Sequence, residues 1–170
     1  MQAAIKNPEY FQELYDKYFE VIFRFVHRRV EEEQLAADIT ADTFYEALKN
    51  LKKYTFRGLP FSAWLYRIAS NEVNSFYRKS RRQLVYSLEP ELISNLADQE
   101  LADGQMANVD NLLHHMRRLP AIDIEVLELR FFEEKSFAEL AFILNLTEAT
   151  VKMRTYRAIE KLRKAMVGQK

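Results

Sequence analysis

Apolar residues recur along this chain at steps of three and four, the spacing that gathers them on one face of an α-helix. Phe11, Leu14, Tyr15, Tyr18, Phe19, Ile22, Phe23 and Val26 form the first such stripe. It is entered through Asn7-Pro8, where Asn caps and Pro suits the first helical turn. A second helix is predicted from about Glu32 to Lys52, with Leu35, Ile39, Phe44, Leu48 and Leu51 inward. Gly58 and Pro60 punctuate. A third helix starts near Ser62 and runs through Trp64, Leu65, Ile68, Val73, Phe76 and Tyr77 into the basic run Arg78-Lys79-Ser80-Arg81-Arg82. Toward the C-terminus the pattern predicts helices at about 107–118, 121–132, 136–144 and 147–166. Pro120 divides the first two, and Ser136 and Thr147 are good N-caps for the last two.

Composition strengthens the helical reading. Only three Gly and four Pro occur in 170 residues, too few for the turns of a sheet or the close approach of a nucleotide loop. Cysteine is absent, which excludes disulfides, thiolate catalysis and Cys-ligated zinc and fits a reducing compartment. No apolar run approaches the roughly 18 residues of a membrane span. Residues 1–10 lack a basic segment followed by an apolar one, so no signal peptide is expected and a cytoplasmic location is.

Net charge is zero, but the charge is segregated. Residues 1–85 carry 14 basic and 11 acidic side chains, and residues 110–170 carry 11 and nine. Between them, residues 86–109 hold five acids (Glu89, Glu91, Asp98, Glu100, Asp103) and no Lys or Arg. The expected architecture is therefore all-α: two small helical domains, 1–85 and 110–170, joined by a flexible acidic linker at 86–109.

The segment from Ser136 to Lys152 carries the most specific pattern. Leu140, Ala141 and Ile143 bury one short helix, and small Ala141 lets a second helix cross closely. Asn145 falls where the turn needs a left-handed residue, which Asn tolerates. Leu146, Val151 and Ile159 hold the second helix to the core. A helix pair with such a turn is the helix-turn-helix that reads duplex DNA. Residues 147–170 carry seven basic and two acidic side chains, suited to phosphate neutralisation. Glu148, Ala149, Thr150, Lys152 and Met153 stand where a recognition helix meets base edges, with Arg154, Arg157, Lys161, Arg163 and Lys164 following.

Residues 54–82 interleave aromatics with cations. Aromatic faces stack on unpaired bases while cations follow the backbone, the chemistry of capturing a separated strand. Tyr54, Phe56, Arg67, Asn71, Arg78, Lys79, Arg81 and Arg82 are the candidates, whereas Phe61, Trp64, Leu65 and Ile68 read better as core. Asp38, Asp42 and Glu46 lie four apart on one helix face. No His accompanies them at metal-binding spacing, so a solvated or protein-docking face is the better reading. No nucleophile constellation and no phosphate loop occur, which argues against an enzyme.

Taken together, the features resemble the extracytoplasmic-function group of bacterial sigma-70 factors, from about residue 7 to 165. Asp38-Ile39-Thr40-Ala41-Asp42-Thr43-Phe44 resembles the family's region 2.2. Residues Phe61 to Asn71, then Arg78-Lys79, resemble regions 2.3 and 2.4. Leu119-Pro120, Val126 to Phe132, Glu139-Leu140-Ala141, Thr150 to Arg154, Arg157-Ala158 and Leu162-Arg163 resemble region 4. The chain departs from the family pattern at Ala41 (often Gln), Ser75 (usually Asp), Glu133-Glu134-Lys135 (often with a Gly) and Asn145 (usually Gly).

The resemblance implies a sigma factor that binds core RNA polymerase and directs promoter-specific initiation. Asp38, Asp42, Phe44 and Glu46 would dock on the coiled coil of the polymerase's largest subunit, with a second contact on its flap. Tyr54, Phe56, Arg67, Asn71 and Arg78 to Arg82 would melt and read the −10 element. Glu148, Thr150, Lys152, Arg154, Arg157 and Lys161 would read the −35 element. The linker would thread the polymerase channels. An anti-sigma factor is an implied partner, and no cofactor is implied. Two alternatives stay open: a stand-alone helix-turn-helix regulator with an N-terminal dimerisation or sensing domain, and a helical interaction protein with an incidental basic helix.

Overall fold

The computed structural model describes residues 9–30, 32–80, 96 and 109–167. Among them the regular elements are all helices. The chain divides into two compact units, Met1–Ser87 and Leu88–Lys170.

The N-terminal unit packs three helices against one another. They are α1 (Glu9–His27), α2 (Glu33–Asn50) and α3 (Phe61–Ser80), with a 3₁₀ turn at Leu51–Lys53 closing α2. The predicted stripe of α1 faces inward around Phe11, Ile22 and Val26, joined by fully buried Phe25. From α2 come Ala36, Ile39, Phe44 and Ala47, and from α3 Phe61, Leu65, Tyr66, Ala69 and Val73. Burying such stripes is the main stabilising term, at roughly 1.5–3 kcal/mol per large apolar side chain. The buried hydroxyls of Thr40 and Thr43 donate to the carbonyls of Ala36 and Ile39, so no polar group is left bare on the inner face of α2. The Tyr77 hydroxyl donates to the Arg29 carbonyl at 2.6 Å and ties the end of α3 to the end of α1.

Leu48 does not join this core as expected. It is 42% exposed. The buried register of α2 runs through Ala36, Ile39, Thr40, Thr43, Phe44 and Ala47, and Leu48 falls about 100° past Ala47. Gly58 adopts φ +75° between α2 and α3, a conformation that costs glycine little. The Asn7-Pro8 start and the 86–109 linker lie outside the described residues, apart from Leu96, which is helical and fully buried, and helical Val109.

The C-terminal unit comprises α4 (Val109–Met116), α5 (Ala121–Leu127), α6 (Phe137–Leu144) and α7 (Glu148–Val167). Helix α7 packs on all three others. Its Val151, Ala158, Ile159 and Leu162 meet a core that includes Leu112, Met116, Ile124, Leu127, Leu140 and Ile143. The expected helix at 121–132 is α-helical only to Leu127 and then widens into a π-turn, Glu128–Phe132. There the Glu133 amide donates to the Glu128 carbonyl at 3.1 Å, a five-residue step. The turn is closed by the Lys135 amide on the Leu129 carbonyl (2.9 Å) and by Arg130 Nη1 on the Lys135 carbonyl (3.0 Å). Glu134 takes φ 51° to make this bend, at a position where glycine would be unstrained.

Local capping rules set α6 and α7. Ser136 and Glu139 form a reciprocal capping box. Asn145 closes α6 at φ 54°, ψ 43°, the left-handed residue expected from sequence. Thr147 then caps α7, its hydroxyl accepting from the Thr150 amide at 3.2 Å. Replacing Asn145 by Val should lower the unfolding free energy by about 1–2 kcal/mol, because a β-branched residue is strained there. Asn145→Gly should stay within about 0.5 kcal/mol of the parent. Urea unfolding followed by circular dichroism tests both.

Candidate nucleic-acid interface

The buried residues of α7 fix which of its side chains face out. Opposite Val151, Thr155, Ala158 and Leu162 lie Ala149, Met153, Arg157, Glu160 and Lys164, all exposed. Glu148 and Lys152 are on the surface and paired at 2.7 Å. Such an exposed pair is worth little and opens readily to a phosphate. The Lys152 ammonium also stands 5.6 Å from the Phe137 ring, which packs 6.3 Å from Tyr156 and carries the Arg130 guanidinium at 4.9 Å.

Two of the sequence-predicted DNA residues do other work. Arg154 Nη1 lies 2.7 Å from Asp123 Oδ1, and the Asp123 side chain is only 8% exposed. A carboxylate so buried needs a cation beside it, so Arg154 is an anchor that joins α7 to α5. Lys161 reaches toward the same carboxylate at 3.9 Å while staying 58% exposed, so it still faces solvent. Thr150 is half-buried, and its hydroxyl shares a 2.8 Å hydrogen bond with that of Thr147. It belongs to the cap.

In the N-terminal unit, Arg67, Asn71 and Arg78 fall on one side of α3, with Trp64 beside them. Asn74, exposed on the same stripe, was not singled out by the sequence. Its signal was its step of three from Asn71. Asn71, Arg78 and Lys79 are exposed, whereas Arg67 is half-buried. Tyr54 packs its ring 4.8 Å from Trp64 and 5.5 Å from Phe61, and burial raises its phenol above the usual value. It is a neutral wall rather than an open stacking platform. Phe56, at 67% exposure, is the open one. Arg81 and Arg82 lie outside the described residues.

The acidic face of α2 is open at Asp38 and Asp42, with Gln34 donating to Asp38 at 3.2 Å. Glu46 is half-buried and occupied by Lys49 (2.9 Å) and Asn50 (3.1 Å). Phe44, expected on the docking face, lies in the core. It is 3% exposed and packs against Phe11, Tyr15 and Phe19. The apolar part of this surface is instead Tyr45, 64% exposed, and Leu48, which share the face with Asp38, Ala41 and Asp42. Sequence reasoning missed both because it counted Leu48 as core.

This pairing of a helix-turn-helix unit with an aromatic and basic three-helix unit defines a promoter-binding initiation factor, and the chain belongs to the sigma-70 family. Its residues 14–83 match Sigma-70 region 2 and residues 115–164 match Sigma-70, region 4. Within the family it is similar to the ECF RNA polymerase sigma factor BldN of Streptomyces coelicolor, at 32% identity over 163 residues, covering 95% of this chain and 62% of BldN. It is also similar to SigW of Bacillus subtilis, at 29% identity over 177 residues, covering 97% of this chain and 93% of SigW. Among solved structures, CnrH in complex with the cytosolic domain of CnrY is similar at 26% identity and TM-score 0.65, covering 99% of this chain and 95% of that one. The sigma factor RpoE in complex with the anti-sigma factor NepR from Bartonella quintana shares the fold, at 20% identity, TM-score 0.65 and coverage of 94% and 98%. No helix among the described residues is long and apolar enough to cross a membrane.

The anchor reading of Arg154 separates stability from binding. Arg154→Ala should lower the stability of the C-terminal unit by about 2 kcal/mol, the cost of a buried carboxylate losing a partly exposed partner. Arg157→Ala, on the outward face, should change it by less than about 0.5 kcal/mol. Denaturant midpoints of the two variants decide this.

Proposed function

We propose that this chain is an alternative sigma factor that binds core RNA polymerase and directs it to a specific class of promoters. The observation that carries the reading is the stripe of half-buried Arg67 and exposed Asn71, Asn74 and Arg78 on α3, close in sequence to exposed Phe56. A regulator that only reads duplex DNA has no need of cations and an open aromatic suited to an unpaired strand. Arg81 and Arg82 would extend that basic surface. In the C-terminal unit, Glu148, Lys152, Arg157 and Lys161 meet the −35 element. The protein contributes binding rather than chemistry, acts in the cytoplasm with the polymerase, and needs no cofactor of its own.

Core polymerase binds the face of α2 built from Asp38, Asp42, Tyr45 and Leu48. Acidic residues around an apolar patch give a partner both steering and a desolvated centre. The polymerase side is the coiled coil of its largest subunit, with the flap meeting the C-terminal unit. An anti-sigma factor holds the protein inactive. RpoE was solved with the anti-sigma factor NepR, and CnrH with the cytosolic domain of CnrY, which supports this part.

Added to sigma-free core polymerase, the purified chain should yield start-site-specific transcripts. A dimer that binds duplex DNA tightly without polymerase would instead support the stand-alone regulator. Asp38→Lys with Asp42→Lys should weaken core binding by on the order of tenfold while circular dichroism stays unchanged, since both side chains are exposed. Titrating salt against promoter affinity provides a further check. Arg157→Ala should reduce the log–log slope by about one, the signature of one lost phosphate contact.

A further inference from the structure

The outward face of α7 is apolar where a recognition helix meets base edges. Met153 is 42% exposed, and Ala149, one turn earlier, is exposed beside it. Several of the polar side chains around them already have partners within the protein. Thr150 bonds to Thr147 (2.8 Å), Lys152 to Glu148 (2.7 Å) and Arg154 to Asp123 (2.7 Å). The first two turns of α7 therefore present a thioether and a methyl group between cations.

We propose that Met153, assisted by Ala149, reads thymine in the major groove through its 5-methyl group. The inference rests on α7 being the −35 recognition helix. Thymine's methyl is the apolar group that unmodified base pairs present in the major groove, and apolar side chains recognise it. Methionine is flexible and polarizable, so it follows an irregular groove floor. Lys152, Arg157 and Lys161 flank it and suit the phosphates on either side of such a contact. Ala149 and Met153 stand about 6 Å apart along the helix axis. That is less than two base-pair steps of about 3.4 Å, so the thymines recognised lie at the same or neighbouring positions.

The test uses the full chain assembled with core polymerase. Its promoter is first selected from duplex DNA randomised across the upstream element. Each thymine there is then replaced singly by deoxyuridine, which removes only the methyl group. Loss of the methyl should weaken binding about fourfold at one position or at neighbouring positions, the worth of one buried methyl-sized group. Met153→Ala should bind thymine and uracil alike. An upstream element indifferent to deoxyuridine overturns the thymine contact while leaving the sigma-factor reading intact. So does a Met153→Ala chain that keeps the full preference for thymine. A Met153→Ala chain that keeps that preference but loses its anti-sigma factor overturns it too, and assigns the face to protein. A chain that binds no core polymerase and enriches no promoter overturns both readings.

Discussion

A carboxylate held out of water without a cation costs several kcal/mol, and Asp123 is one of the buried carboxylates of the C-terminal unit, with Glu125 and Glu128. Its cation comes from Arg154 on α7, 31 residues along the chain. This pair does more than neutralise a charge. It fixes the rotation of α7 on its bed, because turning the helix by one residue would pull Arg154 about 100° from its partner. With that rotation set, Val151, Ala158, Ile159 and Leu162 face the core, and Ala149, Met153 and Arg157 face out. The set of side chains left on the outer face of α7 is thus dictated from inside the unit. The capping residues Ser136 and Asn145 fix where α6 begins and ends, and Thr147 where α7 begins, but not this rotation.

The N-terminal unit uses its helices in a similar way, with different surfaces exposed. Helix α2 places Phe44 and Ala47 in the core, and Asp38, Ala41, Asp42, Tyr45 and Leu48 on the opposite side. Helix α3 places Leu65, Tyr66, Ala69 and Val73 inward and its Arg and Asn stripe outward. One three-helix unit in this way carries an acidic face around Tyr45 and Leu48 on one helix and a stripe of Arg and Asn on another. The buried threonines of α2 satisfy themselves on their own backbone, so no partner from another helix is needed to hold its register.

Much of the fold was legible because it follows local rules. Stripes at steps of three and four located the helices α1 to α7, and Asn145, Ser136 and Thr147 announced the helix-turn-helix through conformational preference and capping. What the sequence concealed depends on contacts far along the chain or on small angular offsets. Nothing near Arg154 points to Asp123, so Arg154 reads as one more basic residue on a basic helix. Leu48 is hydrophobic and lies one residue beyond a core position, so periodicity with its usual tolerance counts it as buried. Phe44 sits both in the inward stripe and in the family's docking segment, and only its packing on Phe11, Tyr15 and Phe19 decides between them. The π-turn after Leu127 has no short-range signature at all.

The glutamates on α7 have one more consequence. Glu148 sits on Lys152, and Glu160 lies 3.6 Å from Arg163 and 3.4 Å from Lys164. These carboxylates act as tethered counterions. A phosphate must displace them before it gains the cation, so the gain from releasing free salt ions is reduced. Each such exposed pair is weak, so the cost a phosphate meets in displacing it is small. Because the cost is the same for every sequence, self-pairing lowers affinity for all duplexes alike and leaves discrimination to contacts with the bases.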